Sequence, residues 1–162
     1  MHVDVVPVRE IEKPELWARL QDYIRELMPY DGGPTPADGV FRYPHFDAYW
    51  REPEHRWPFW GVVDGKHAAF ALVRRGPERY EMAEFYSFPE FRRTGVALPF
   101  AKAVIARYPG PWELTQFAEN TGAVAFWRRV LADRPFEESG YIGEQSGKRR
   151  LRQIFTVPAS RS

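Results

Sequence analysis

Pro99 stands inside a run that otherwise reads as a helix, residues 95–107, GVALPFAKAVIAR, in which Val96, Phe100, Ala103 and Val104 share one face. Proline has no amide hydrogen, and its ring collides with the preceding turn, so it is tolerated only in the first turn of a helix. The helix must therefore begin close to Thr94–Ala97. Residues 80–88, YEMAEFYSF, read as a strand. The short basic turn at 89–94 then leads directly from a strand into a helix, and FRRTGVAL lies at that junction.

The rest of the chain is ordered around this unit. VDVVPV (3–8) reads as a strand, with Pro7 arguing for a sheet edge. KPELWARLQDYIRELM (13–28) reads as a helix, with Pro14 near its start and Leu16, Leu20, Ile24 and Leu27 at helical spacing. PYDGGPTPADG (29–39) is dense in breakers and reads as a loop, and HFDAYW (45–50) as a short helix. PFWGVV and KHAAFALVRR flank Asp64-Gly65 as a hairpin. WELTQF (112–117) reads as a strand. ENTGAVAFWRRVLAD (119–133) reads as a helix capped by Asn120 or Thr121, with Ala123, Phe126, Val130 and Leu131 inward. FEESGYI and LRQIFTV read as two final strands. This order implies α/β architecture (α+β, a mixed sheet flanked by helices), and the 162 residues suit a single domain.

Several function classes fall away. Without cysteine, thiolate metal sites and cysteine nucleophiles are excluded, and a reducing compartment is a natural fit. A formal charge of +1 is not that of an obvious nucleic-acid or membrane-surface binder. The start, MHVDVVPVRE, lacks the features of a secretion signal, and no window approaches the roughly 20 apolar residues of a membrane span. A cytoplasmic protein is expected, with no nucleic-acid or membrane partner. Four histidines, at 2, 45, 55 and 67, show no ligand-like pairing with carboxylates, so no metal is expected. GEQSGKRR mimics a Walker loop but spaces its glycines one residue too close and carries Arg149 where Ser or Thr belongs.

A helix N-terminus presents unpaired amides and the positive end of a dipole, and phosphates bind there. Gly95 lets a ligand approach the backbone, Ala97 keeps the next position small, and Arg92 and Arg93 add charge that can meet a diphosphate. A capped helix with surface arginines has the same composition, and both readings stand on spacing alone.

Arg92-x-x-Gly95-x-Ala97 resembles the acyl-CoA signature Q/R-x-x-G-x-G/A of the GNAT family of N-acetyltransferases. Its surroundings, AEFYSFPEFRRTGVALPFAKAV, resemble that family's fourth strand, pyrophosphate loop and third helix. ENTGAVAFWRRVL resembles the next helix, N-x-x-A-x-x-F-Y/W, and PFWGVVDGKHAAFALVRR the preceding hairpin. The likeness is specific over roughly 57–133 and loose over 1–56. It implies a mostly antiparallel sheet splayed after the fourth strand, with acetyl-CoA as co-substrate and its pantetheine arm lying in the gap. Main-chain groups near Ser87 and Phe88 would meet that arm. Amides of Arg93, Thr94, Gly95, Val96 and Ala97 would hold the pyrophosphate with Arg92. Asn120 would contact the pantetheine, with Phe126 and Trp127 packed near the cofactor.

Direct transfer from a thioester to a primary amine needs a base, oxyanion stabilisation and a proton for the leaving thiolate. Glu84, in an otherwise apolar strand, is the candidate base, because desolvation raises a carboxyl pKa. A structural role, paired with an arginine or facing solvent, is the alternative. Many family members follow the helix phenylalanine with a tyrosine, whereas this chain has Trp127, which cannot protonate a thiolate. Tyr86, Tyr141 or water would take that role. The aromatic segment 41–60 would shape the acceptor pocket, with Tyr43, His45, Tyr49, Trp50 and Trp57 as candidates; packed core is the alternative for each. The missing tyrosine also admits a non-catalytic acyl-CoA-binding module, and the basic run 147–152, GKRRLR, an adaptor for nucleic acid. A monomer or homodimer is expected, since terminal strands can pair across a dimer.

Overall fold

The computed structural model describes residues 1–159. Among them, seven strands form one sheet in the order β1-β2-β3-β4-β5-β7-β6. They are β1 (Asp4–Pro7), β2 (Arg56–Val63), β3 (Lys66–Arg75), β4 (Tyr80–Ser87), β5 (Gly110–Phe117), β6 (Glu137–Ile142) and β7 (Arg149–Val157). The α-helices are α1 (Lys13–Asp31), α2 (Ala48–Arg51), α3 (Ala97–Ala106) and α4 (Thr121–Val130). Neighbouring strands run antiparallel except β4 and β5, which are parallel. This is the mixed, mostly antiparallel sheet expected from the sequence.

Strand alternation builds two cores. Phe59, Ala69, Ala71, Val73, Trp112 and Leu114 pack with Phe100 and Val104 of α3 and Trp127 and Val130 of α4. Trp60, Phe70, Leu72, Tyr86 and Phe88 pack on the other face with Leu16 and Leu20 of α1 and Tyr49 of α2. The β2–β3 turn is tight because Asp64 and Gly65 both take positive φ, 49° and 74°.

β4 is bulged. Leu72 pairs with Glu84 and Val73 with Met82, leaving Ala83 without a partner on β3. A bulge shifts the phase of alternation and bends its strand. Ala83 and Glu84 accordingly both face the α1 side, Ala83 in that core and Glu84 bonded to Tyr23, while Met82 and Phe85 pack toward α3 and α4. The bend carries β4 away from β5, with which it forms two pairs, Tyr80 with Trp112 and Glu81 with Glu113.

The structure corrects several boundaries. α1 runs through Pro29 to Asp31 instead of stopping at Met28, and ends at Gly32, whose φ of 77° closes a left-handed cap with its amide on the Met28 carbonyl at 2.9 Å. The last turn is held by Tyr30, which stacks on Phe117 at 6.4 Å. β2 and β5 each begin two residues earlier than expected, at Arg56 and Gly110. α3 begins at Ala97, so Pro99 lies in its first turn as its chemistry demands. Asn120, not Thr121, caps α4: its Oδ1 accepts from the Ala123 amide at 3.2 Å. The inner stripe of α4 is Val124, Trp127, Val130 and Leu131, not the Ala123–Phe126 register, because Trp127 fills the core against Phe85 at 5.0 Å.

Gly61 of β2 lies beneath α3, where a Cβ would meet the fully buried Phe100 ring at 3.0 Å. Gly61→Val should therefore destabilise the fold by about 1–3 kcal/mol through overpacking. The denaturant midpoint measures this, and an unchanged midpoint would mean that Phe100 can be displaced freely.

Candidate active site

Beyond Glu81 and Glu113 the ladder between β4 and β5 stops, and a cavity of about 410 Å³ occupies the gap. Its walls come from β4, β5, Tyr23 to Asp31 of α1, the α4 cap Asn120, and Ala123 and Trp127 of α4. A second cavity, about 580 Å³, is bordered by Tyr43 to His45, Tyr49, Arg56, Tyr141 and Arg152. Glu84 and Tyr43 line both. The bulge at Ala83 thus sets Glu84 where the two cavities meet.

The Glu84 carboxylate accepts hydrogen bonds from Tyr23 Oη at 3.0 Å and Tyr43 Oη at 2.9 Å. Desolvation pushes its pKa up, opposed by the Tyr43 and Tyr23 hydrogen bonds and by the charge of Arg150. Burial beside that carboxylate pushes both phenols up as well, so each hydroxyl stays protonated. Arg150 is itself oriented: it donates from Nε to Tyr141 Oη and from Nη2 to Thr115 Oγ1, both at 3.3 Å, and lies 4.2 Å over the Phe117 ring. A carboxylate with a raised pKa, aimed into a cavity and held by two hydroxyls, is suited to accept a proton near neutral pH.

The turn before α3 has a special backbone. Arg93 has φ 67° and Gly95 φ 83°. Positive φ at Gly95 favours glycine, and a Cβ there would point into open space, with nothing within 4 Å. Among the described residues, the amides of Gly95, Val96, Ala97 and Leu98 have no backbone acceptor. They form the open positive end of α3. Thr94 turns inward, its amide and hydroxyl both donating to the Phe91 carbonyl. Arg93 is exposed. Arg92 reaches back instead, donating to both oxygens of Glu26 at 2.7 and 2.9 Å and to the Ser87 carbonyl at 3.2 Å.

Glu84, Tyr43, Asn120 and Trp127 are brought together around the first cavity, and Tyr43, His45, Tyr49 and Tyr141 around the second. Other candidates stand elsewhere. The Tyr86 hydroxyl donates to Glu26, outside both cavities. Phe88 is fully buried, its amide bound to the Ala68 carbonyl at 3.0 Å and its ring 3.8 Å under the Arg19 guanidinium. Phe126 stacks on Phe85 at 5.6 Å. Trp50 donates from Nε1 to the Val8 carbonyl at 3.0 Å, and Trp57 stacks on Tyr108 at 4.6 Å. The basic run 147–152 is drawn partly into β7, where Arg152 donates to Glu113 at 3.1 Å.

Sequence reasoning missed Tyr23, Arg150 and Arg56. Tyr23 had a signal, since it continues the inward stripe Leu16–Leu20–Tyr23–Leu27. The arginines had none: Arg150 meets Thr115 and Tyr141 of other strands, and the burial of Arg56 is set by the assembled sheet. No described helix is long and apolar enough to cross a membrane, and among the described residues no group of three or more His, Asp or Glu side chains is arranged to hold a metal.

Residues 17–132 match the model of the acetyltransferase (GNAT) family. No curated protein sequence matches the chain. Among solved structures, it is similar to the ribosomal-protein-S18-alanine N-acetyltransferase from Escherichia coli (14% identity, 99% of this chain and 97% of that one, TM-score 0.61). It is also similar to a ribosomal L7/L12 alpha-N-protein acetyltransferase in complex with coenzyme A (9%, 98% and 96%, TM-score 0.71). A third is a spermidine N-acetyltransferase from Vibrio cholerae in complex with CoA and spermine (12%, 95% and 95%, TM-score 0.65). At these identities the neighbours speak for the fold, and the family match spans most of the chain. With its splayed sheet and the strand–turn–helix unit at β4 and α3, the chain belongs to the GNAT family of acetyltransferases.

Proposed function

We propose that this protein is an N-acetyltransferase that moves an acetyl group directly from acetyl-CoA to a primary amine. The observation that carries this reading is Glu84, a carboxylate with a raised pKa at the junction of two cavities. The cavity between β4 and β5 takes the pantetheine arm and the thioester. From Met82 to Ser87, β4 has no partner on that side, so an extended ligand with amide groups can pair with it like a strand. The open amides of 95–98 take the pyrophosphate, aided by Arg93 and by Arg92 when it leaves Glu26.

The acceptor enters through the second cavity as an ammonium. Glu84 removes one proton, and the neutral nitrogen attacks the thioester carbonyl. The tetrahedral intermediate collapses by breaking the carbon–sulfur bond, the nitrogen gives up its second proton, and the CoA thiolate takes one up. Trp127 cannot supply that proton. Tyr23 and Tyr43 are the tyrosine hydroxyls that border the cofactor-side cavity. Trp127 favours one rival reading, a module that binds acetyl-CoA without transferring it. Such a module would be stabilised by acetyl-CoA yet release no CoA across a broad panel of amines. Transfer to any amine in that panel excludes it.

Gly95→Glu places a carboxylate at the positive end of α3, at a backbone position that costs a side chain about 1–2 kcal/mol. The variant should fold and lose acetyl-CoA binding; wild-type affinity by calorimetry would remove the α3 terminus from the site. Glu84→Gln should lower kcat about 10²–10⁴-fold while leaving acetyl-CoA affinity and melting temperature at least as high. An unchanged rate would leave Glu84 a structural role. Because the base acts when ionised, kcat/KM should rise with pH above the ordinary carboxylate range. Tyr43→Phe removes a hydrogen bond that favours the ionised form, so its acid limb should move to higher pH. A limb moving to lower pH would contradict that role for Tyr43.

A further inference from the structure

The second cavity is lined by four arginines and three glutamates: Arg42, Arg56, Arg74 and Arg152, with Glu81, Glu84 and Glu113. Most of these charges are matched. Arg74 donates from Nε to Glu81 at 2.8 Å, Arg152 to Glu113 at 3.1 Å, and the exposed Arg42 to Asp38 at 2.8 Å. Glu84 is held by its two tyrosines. Arg56 differs. Its side chain is 13% exposed, and its Nε is buried without a hydrogen-bond partner. Glu52 Oε1 lies 3.5 Å from that nitrogen but makes no hydrogen bond with it, and its side chain is 49% exposed to water.

Beside Arg56 is a second orphan. Tyr49 is 2% exposed, and its buried hydroxyl, which lies beside Tyr43 and Arg56, has no partner in hydrogen-bonding geometry. The Arg56 guanidinium lies 5.6 Å from the Tyr49 ring centroid. Buried donors are normally satisfied, and leaving one unmet costs about 1–3 kcal/mol. Two adjacent donors, one of them cationic, in the wall of a cavity that also holds the Glu84 carboxylate, call for an anionic acceptor group there.

We propose that the acceptor amine carries a carboxylate, and that Arg56 and Tyr49 bind this carboxylate while the ammonium meets Glu84. This rests on the assignment of Glu84 as the base and of the second cavity as the acceptor side. The substrate class is then a free amino acid or a similarly compact amino carboxylate, not a polyamine. The two charges of a zwitterion match two groups in the cavity wall: a carboxylate base held by hydroxyls, and a guanidinium whose buried Nε has no hydrogen bond. A charge-assisted hydrogen bond in a desolvated site is both stronger and more selective than one in water.

The test compares each of the twenty L-amino acids and several ω-amino acids with its carboxamide, alongside spermidine, by CoA release from acetyl-CoA. The acids should exceed their amides in kcat/KM by about tenfold or more for the preferred side chain, the size expected of a hydrogen bond to a charged group. Arg56→Met should abolish that preference, and Arg56→Lys should restore part of it, with acetyl-CoA affinity unchanged in both. Should Arg56 variants fail to fold, Tyr49→Phe, which removes only the hydroxyl, should still narrow the ratio of acid to amide. Equal use of acids and amides by the wild type, or a preference for spermidine, would overturn the carboxylate site and leave the acetyltransferase reading intact. Calorimetric titration of amino acids and amides into the CoA-bound protein separates the two ideas. Binding of acids alone, without transfer, upholds the site and sinks the catalytic reading. Binding of neither overturns the site.

Discussion

The parting of β4 and β5 is the constraint on which the site depends. Two parallel pairs hold the strands together at Tyr80–Trp112 and Glu81–Glu113, and the bulge at Ala83 then bends β4 away. An unpaired strand edge inside a protein leaves backbone donors and acceptors unmet, a condition that sheets usually avoid. Here both flanks of the gap are secured by packing instead. On one face Phe85 meets Trp127 and Phe126 of α4, and on the other Tyr23 of α1 packs against Phe70 and Tyr86. The gap is therefore built into the packing of the fold, open to a ligand that can act as a strand.

The same bulge turns Glu84 toward α1, into an environment with opposed effects. Desolvation disfavours its charge, while two hydroxyls and a nearby guanidinium favour it, and the balance leaves its pKa raised. Linkage gives the sign for stability. A carboxyl whose folded pKa exceeds its unfolded one contributes stability that is fully present below the unfolded pKa and lost as pH rises through the folded one. At neutral pH ionised Glu84 thus weakens the fold, a pattern common where a site serves function over stability. Tyr23 and Tyr43 reduce this effect and fix the carboxylate's direction.

Trp127 gains a physical explanation from its burial. It occupies the inner stripe of α4, packed against Phe85 and Phe126, where an indole adds more apolar contact than a phenol. The hydroxyls of the site come instead from α1 and from the segment before α2, through Tyr23 and Tyr43. The polar chemistry around Glu84 has thus been supplied from the opposite face of the sheet. Arg92 shows a related division: its guanidinium ties the turn before α3 to Glu26 of α1, so the phosphate-facing surface of that turn is largely backbone.

Local chemistry made much of this molecule legible from its residues alone. Pro99 placed the start of α3, Asp64-Gly65 marked the hairpin turn, Pro7 marked an edge strand, and the spacing of Arg92, Gly95, Ala97 and Asn120 pointed to the family. Glu84 stood out because a charge in an apolar strand demands a reason. These features depend on φ preference, missing amides and short-range periodicity, which act within a few residues. What the chain alone did not determine was which aromatics would line a cavity and which would fill a core. Trp50, Trp57 and Phe88 are packed in, whereas Tyr43 and Tyr49 border the cavities, although all five share one composition class. Nor did it reveal the bulge at Ala83, the tyrosine from α1 on Glu84, or the buried Arg56 Nε without a hydrogen bond. Each of these depends on pairing and desolvation between residues far apart in the chain, and only the assembled sheet decides which charges find partners.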